Sequence, residues 1–321
     1  QTINFTSTAP VSAAVGGATY TPTATATSGL SVTFTIDAAA SSVCSISAGV
    51  VSFNAAGTCV INANQAGDAN YLAAPQVQQS FAVADLPNGG SDTTGVFRPI
   101  NGIIFLKNSN TTGFADVGLN YGIPGDYPVV GDWDGNGTAT IGVYRNGSFY
   151  LRNSNTVGFA DIVFPFGQPG DQPIAGDWDG DGVDTIGVYR PSTGQFLMRN
   201  SNNAGVAEMS FFLGNVGDVG IAGDWDGDGK DTTGVFRPVN GIIFLKNTNE
   251  TGFADVALNY GIPGDKPVTG DWDNDGIDTI GVYRNGQFML RNSNTVGFAD
   301  MVFGLGNPGD MPIAGNWDGI P

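Results

Sequence analysis

The motif GDWDGDGxD returns along this chain as GDWDGDGVD from Gly176 to Asp184, GDWDGDGKD from Gly223 to Asp231 and GDWDNDGID from Gly270 to Asp278. Three or four carboxylates within so few residues repel one another unless a cation sits among them. Alternate spacing points Asp177, Asp179 and Asp181 at a common centre, as it does Asp224, Asp226 and Asp228, and Asp271, Asp273 and Asp275; Asp184, Asp231 and Asp278 close the three sets. Hard oxygen donors at this density suit calcium. A weaker copy, GDWDGNGTA, puts Asp132, Asp134 and Asn136 in the same positions, and a truncated one, GNWDGIP, ends the chain. The pattern predicts a calcium-loaded repeat protein.

The motif sits inside a longer unit. Trp133, Trp178, Trp225, Trp272 and Trp317 are spaced by 45, 47, 47 and 45 residues, and NSNTVGFADIVFPFG near Asn153 matches NSNTVGFADMVFGLG near Asn292. Repeats of this length form propellers or solenoids. Each unit holds four short β-prone runs, such as PIAGDWD, DTIGVYR, GQFLMRN and AEMSFFLG, separated by Gly, Asn, Asp and Pro clusters, and four strands per unit describe a propeller blade. Second-strand copies begin at Asp92, Ala139, Asp184, Asp231 and Asp278, whereas the last first-strand copy is Pro312 to Asp318. That phase shift lets the end of the chain complete the first blade. A ring of five follows, although the likeness of NGIIFLKNSN to NGIIFLKNTN suggests duplication of a three-unit block and keeps a six-bladed alternative open.

These repeats resemble the FG-GAP and VCBS type of extracellular propellers and some fungal lectins. The resemblance covers Ser91 to Pro321 and implies calcium held by an Asp-rich loop between the first two strands of a blade. It departs in one place. The closing acid of such loops commonly stands ninth from the first, whereas Asp184, Asp231 and Asp278 are eighth, which sets the fourth ligand apart from the first three. The fifth loop would have to be shared between Asn316, Asp318 and Asp92 at opposite chain ends.

Residues 1–85 are different material, free of Lys and Arg and rich in Thr, Ser and Ala. Alternating runs such as SVTFTID and CVINANQ read as a small antiparallel sandwich, and the segment resembles bacterial immunoglobulin-like surface modules. Residues 86–90 read as a linker and 91–321 as the five-repeat propeller, so the expected fold is all-β. Cys44 and Cys59 are the only cysteines; their spacing permits a bridge between neighbouring strands and an oxidising compartment, the alternative being two buried free thiols. The uncharged segment from Gln1 to Thr8 is either the first strand of its own sandwich or a strand available to a neighbouring sheet edge.

With 30 acidic residues against 12 basic and a formal charge of -18, nucleic acid and anionic membrane surfaces are excluded as partners. No run reaches membrane-spanning length and no signal segment is present; Gln at position 1 suggests a processed or excerpted product. Ten basic residues fall in two columns, Arg98, Arg145, Arg190, Arg237 and Arg284, then Lys107, Arg152, Arg199, Lys246 and Arg291. Repetition in every unit points to carboxylate pairing or aromatic stacking rather than ligand binding. The five Trp read as packing between blades, and Gly95, Gly142, Gly187, Gly234 and Gly281 as sites where a neighbouring blade comes close. Without histidine, nucleophilic triads and histidine-ligated zinc are absent.

Three functions compete. A non-enzymatic extracellular or cell-surface protein, structural or adhesive, leads; it would contact surface or matrix components or copies of itself. A multivalent calcium-dependent lectin using the NSNT and GFAD turns comes second. A glycoside hydrolase comes third, because it would need an unequal carboxylate pair in a chain of near-identical repeats.

Overall fold

The computed structural model describes residues 1–10, 13–14, 19–55, 57–84 and 90–319. Most of the expected linker, residues 86–89, lies outside the described residues. Contacts divide the chain into two compact units, Gln1–Pro87 and Asn88–Pro321. Both are built from β-strands, the only helical element among the described residues being a 3-10 turn at Ala38–Ala40. No helix among the described residues is long and apolar enough to cross a membrane.

In the first unit, Gly57–Asn64 pairs antiparallel with both Val77–Ala84 and Thr33–Ile36, and Ala13–Ala14 extends the sheet in parallel along Val77–Ala84. Two hairpin-sized sheets accompany it, Ile3–Phe5 with Ala24–Ala26 and Cys44–Ser47 with Val50–Phe53. The N-terminal segment is thus a strand of its own unit. Cys44 and Cys59 form a disulfide. The bridge is the one the spacing permitted, and it joins strands of two different sheets, because Cys44 is registered with Phe53 and Cys59 with Phe81. Both sulfurs sit in a core with Val51, Phe53, Ile61, Phe81 and Val83.

The second unit holds five four-stranded antiparallel sheets among the described residues. Sheet III shows the plan: Gln172–Gly176, Thr185–Arg190, Gln195–Met198 and Met209–Phe212 pair in sequence order. Sheet II runs from Tyr127–Gly131 to Ile162–Pro165, sheet IV from Val219–Gly223 to Val256–Asn259, and sheet V from Lys266–Gly270 to Met301–Gly304. Sheet I is composite. Its members Thr93–Arg98, Ile103–Leu106 and Val117–Asn120 come from the start of the unit, and its remaining strand, Met311–Gly315, comes from the end and pairs with Thr93–Arg98. First strands lie side by side in the order of sheets II, III, IV, V and I, and that of sheet I returns to that of sheet II.

Packing explains this order. In sheet III, Thr185–Arg190 is buried at every position but its last, and Gln195–Met198 alternates. One face of sheet II, with Trp133, Tyr144, Phe149 and Phe164, closes on Ile186 and Val188 of sheet III; sheet III closes likewise on Val235 of sheet IV, and sheet V on Val96 of sheet I. The tryptophans belong to these cores, at 4–6% exposure. The mid-strand glycines have a more local cause than a neighbouring sheet. A Cβ at Gly187 would lie 2.8 Å from Met198 and 3.0 Å from Ile174, which flank it within its own sheet.

Two outcomes test this architecture. Deleting residues 313–321 removes most of the terminal strand from Thr93–Arg98 and exposes a sheet edge; the single cooperative unfolding transition of the second unit should be lost or moved to much lower temperature, as calorimetry would record. Reducing Cys44–Cys59, which closes a loop with a separation of 15, should cost the first unit about 3 kcal/mol in denaturant unfolding.

Candidate metal centres

Each of the acid-rich loops joins the first two strands of its sheet, and its shape follows from the first aspartate. Asp177 Oδ1 accepts from the backbone N–H of Gly180 at 2.7 Å and of Asp181 at 3.1 Å, and its Oδ2 accepts from Gly182 at 2.7 Å. Asp224 and Asp271 hold their loops in the same way, through Gly229 and Gly276, each at 2.8 Å. The chain turns this tightly because Gly182 takes a φ of 84°, a conformation that L side chains disfavour. Asp181 Oδ1 then accepts from Val183 at 3.0 Å.

The outcome brings Asp177, Asp179 and Asp181 together, with one carboxylate oxygen from each within 4.8 Å of the others, and does the same for Asp224, Asp226 and Asp228 and for Asp271, Asp273 and Asp275. The first acid of each triad is partly buried and the other two are exposed. Removal from water raises the pKa of Asp177, Asp224 and Asp271, against the loop N–H donors, and the exposed Asp273 is raised by a lesser loss of solvent together with the charge of Asp275. Three hard oxygen donors at this separation, with solvent on one side for further ligands, fit a calcium ion. The loop at Asp132 keeps the fold, with Oδ2 accepting from Gly137 at 2.6 Å and Asn136 replacing the third acid. Asp134 in that loop is raised by burial and by Asp132.

The closing acids are elsewhere. Asp184, Asp231 and Asp278 do not join the triads that precede them in sequence; each reaches across to the loop of the preceding sheet. Asp184 Oδ2 accepts from Asp132 N–H at 2.7 Å, Asp231 Oδ2 from Asp177 N–H at 2.7 Å and Asp278 Oδ2 from Asp224 N–H at 2.8 Å. Asp92 completes the series on Asp271, at 3.1 Å. Local spacing suggested these acids as fourth ligands of their own loops; the ring sets the next sheet's second strand, and with it the acid, beside the loop of the preceding sheet. Enclosure between sheets drives the pKa of Asp92 and Asp184 up to about 7, opposed by the backbone donor. Asp231 and Asp278 are raised well above the ordinary range by burial and by neighbouring carboxylates, Asp278 acting first on Asp231 and Asp92 on Asp278.

The two basic columns are explained separately. Arg98, Arg145, Arg190, Arg237 and Arg284 each grip both oxygens of a buried aspartate, namely Asp310, Asp126, Asp171, Asp218 and Asp265 in that order. Arg98, Arg145 and Arg237 also stack on Phe105, Tyr150 and Phe244. In the second column, Arg152 donates to Thr156 O at 2.7 Å and Phe159 O at 2.5 Å, Arg291 donates to Thr295 O and Phe298 O, and Arg199 to Val206 O. These arginines anchor turns from the inside, and the outward side chains of those turns were not singled out in the sequence. Phe114, Phe159, Phe253 and Phe298 are 94–95% exposed and Val206 is 83% exposed. All stand at one position of the repeat, within GFAD or GVAE, a signal that was legible as an aromatic without a partner.

No family model matches the chain, and no curated protein matches it significantly. Among solved structures, a lectin from Agrocybe aegerita, described for specific recognition of non-reducing terminal N-acetylglucosamine, is similar with a TM-score of 0.38 and 14% identity over 82% of this chain and 83% of that one.

The arginine pairs can be tested directly. In Asp171→Ala the Arg190 guanidinium loses both of its acceptors and Gln168 N–H loses the carboxylate that holds it at 3.0 Å. A destabilisation of about 2–3 kcal/mol is expected in chemical denaturation of the second unit, with Arg190→Lys intermediate because it cannot reproduce the two-pronged contact.

Proposed function

We propose that this chain is a non-enzymatic extracellular protein with a structural or adhesive task. On this reading the five sheets are the blades of a closed, calcium-stabilised β-propeller of the FG-GAP and VCBS type, and the first unit is an immunoglobulin-like connector. The observation that carries it is the ring of outward side chains at Phe114, Phe159, Val206, Phe253 and Phe298. A nearly bare phenylalanine is costly in water, and the same cost at equivalent positions, on turns that Arg152, Arg199 and Arg291 hold by their carbonyls in three of the five sheets, describes a set of contact points. Multivalent engagement makes individually weak contacts strong. Cell-surface or matrix components, glycans and further copies of the chain are the partner classes such points fit.

Other features support the parts. The cysteine bridge belongs to an oxidising compartment. The buried aspartates paired with arginine are held on both oxygens, and the closing acids accept from backbone N–H donors, an engagement that supports the non-enzymatic reading. A carbohydrate-binding reading rests on one local feature, a groove of about 390 Å³ between sheets V and I lined by Arg98, Phe105, Phe114, Gly304 and Asn307. Gly304 opens it where the other sheets carry Asn120, Pro165, Phe212 and Asn259.

Two measurements examine the proposal. Calcium at about ten times its dissociation constant adds about 1.4 kcal/mol per site, so three full triads should add about 4 kcal/mol to the second unit; chelation should lower its melting temperature well before that of the first unit. A melting curve indifferent to chelator, in protein shown to start metal-loaded, would remove calcium from the account. Replacing the four exposed phenylalanines by serine should abolish adhesion or regular assembly seen by electron microscopy while leaving the melting temperature unchanged. Retained adhesion, with a discrete set of glycans bound on an array, would favour the lectin.

A further inference from the structure

The fourth acid of each motif has a partner that the motif alone does not show. Asp231 makes a two-bond bridge to the first acid of the preceding sheet's loop: its N–H donates to Asp177 O at 2.8 Å and its Oδ2 accepts from Asp177 N–H at 2.7 Å. The same bridge joins Asp184 to Asp132, Asp278 to Asp224 and Asp92 to Asp271. The bridged residue is the one whose two oxygens shape the loop, so its backbone is clamped from one sheet while its side chain organises the triad of another. The first glycine of the motif makes room for this. A Cβ at Gly176 would lie 2.6 Å from Asp231 Oδ2, a distance no side chain tolerates.

From this juxtaposition we infer that Asp231, Asp278, Asp92 and Asp184 are positioning residues for cation binding at the loop of the preceding sheet, not ligands of the loop each follows in sequence. The inference rests on the calcium reading given above and deepens it: every complete site is assembled from two sheets, and cation binding is linked to the docking of neighbours around the ring. The fifth junction supplies an internal control. Ala139 occupies the acid's position there, and its N–H still donates to Asn316 O at 2.9 Å. Alanine at this position is therefore compatible with the backbone bridge and the packed ring; what it lacks is the carboxylate. An aspartate-to-alanine change at Asp231 imitates a junction the protein already contains.

The test uses the full chain with Asp226→Asn, Asp228→Asn, Asp273→Asn and Asp275→Asn, which leaves the loop of Asp177 as the one intact triad, titrated calorimetrically with calcium chloride. Adding Asp231→Ala should weaken binding roughly tenfold, the equivalent of one hydrogen bond to a charged group. Adding Asp184→Ala instead, which removes the acid that follows the triad in sequence, should leave affinity within about twofold. Asp231→Asn keeps an acceptor for Asp177 N–H and should restore most of the affinity that alanine loses. Thermal unfolding without calcium, measured in parallel, should show the ring intact in all three. Loss of affinity with Asp184→Ala and not with Asp231→Ala overturns the inference, as does an asparagine variant as weak as the alanine one, which would assign the effect to charge alone. Calcium binding that follows the wrong variant leaves the calcium reading standing, whereas no binding by the unaltered chain removes both.

Discussion

A four-stranded sheet of this composition cannot exist by itself, because its second strand is buried on both faces and nothing within the sheet covers them. Sheet II needs Ile186 and Val188 of sheet III, and sheet V needs Val96 of sheet I. Each sheet supplies a second strand to one neighbour and takes one from the other, so the arrangement has no natural end short of closure. Termination is solved by splitting one sheet between the two ends of the unit. Met311–Gly315 joins Thr93–Arg98 through a five-residue register, and Arg98 grips Asp310 across a separation of 212 residues. Loop-closure entropy rises slowly with length, which is why so distant a pairing is tolerable once the intervening sheets have formed.

Closure in turn decides what the acids do. An aspartate at the eighth position of a loop is close in sequence to the first, and spacing alone places it as a ligand. The ring places it beside a different loop, where it meets the backbone of Asp132, Asp177, Asp224 or Asp271. Burying a carboxylate without a cationic partner is unfavourable, and Asp92 and Asp184 record this in a pKa pushed up to about 7. The arginine-paired aspartates contrast with them. Asp126 and Asp171 are buried more completely, yet each has a guanidinium on both oxygens. The chain thus uses enclosed acid in two ways, neutralised at the end of each sheet where Arg ends the second strand, and left to backbone donors at the end where the triads lie.

Much of this could be read from the residues. The 45- and 47-residue spacing, the four runs per unit and the phase of the first and last copies anticipate four-stranded sheets with a composite member, which the strand pairing of sheet I contains. The triads were legible because alternation within a short loop is a local property. What could not be read depends on partners fixed by three-dimensional closure. The carboxylates that meet the arginine column lie 19 residues earlier in four sheets and at the far end of the chain in the fifth; pairing was expected, its partner was not. The recurrence of GDYP, GDQP, GDKP and GDMP before the first strands was the available signal. The disulfide shows the same limit: two cysteines near enough to bridge were evident, but not that their strands belong to different sheets.

The departures from symmetry carry information that the repeats do not. Ala139 and Asn316 meet at the junction between sheets I and II, where the other junctions have two aspartates. This is also the sheet assembled from both chain ends. A bridge between two acids adds repulsion to a junction, and on the calcium reading that repulsion is relieved only when the adjoining loop is filled. Alanine and asparagine thus leave one of the five junctions without paired acids, and on the calcium reading this junction docks in the same way with and without metal, although the same sheet meets sheet V through Asp92 and Asp271.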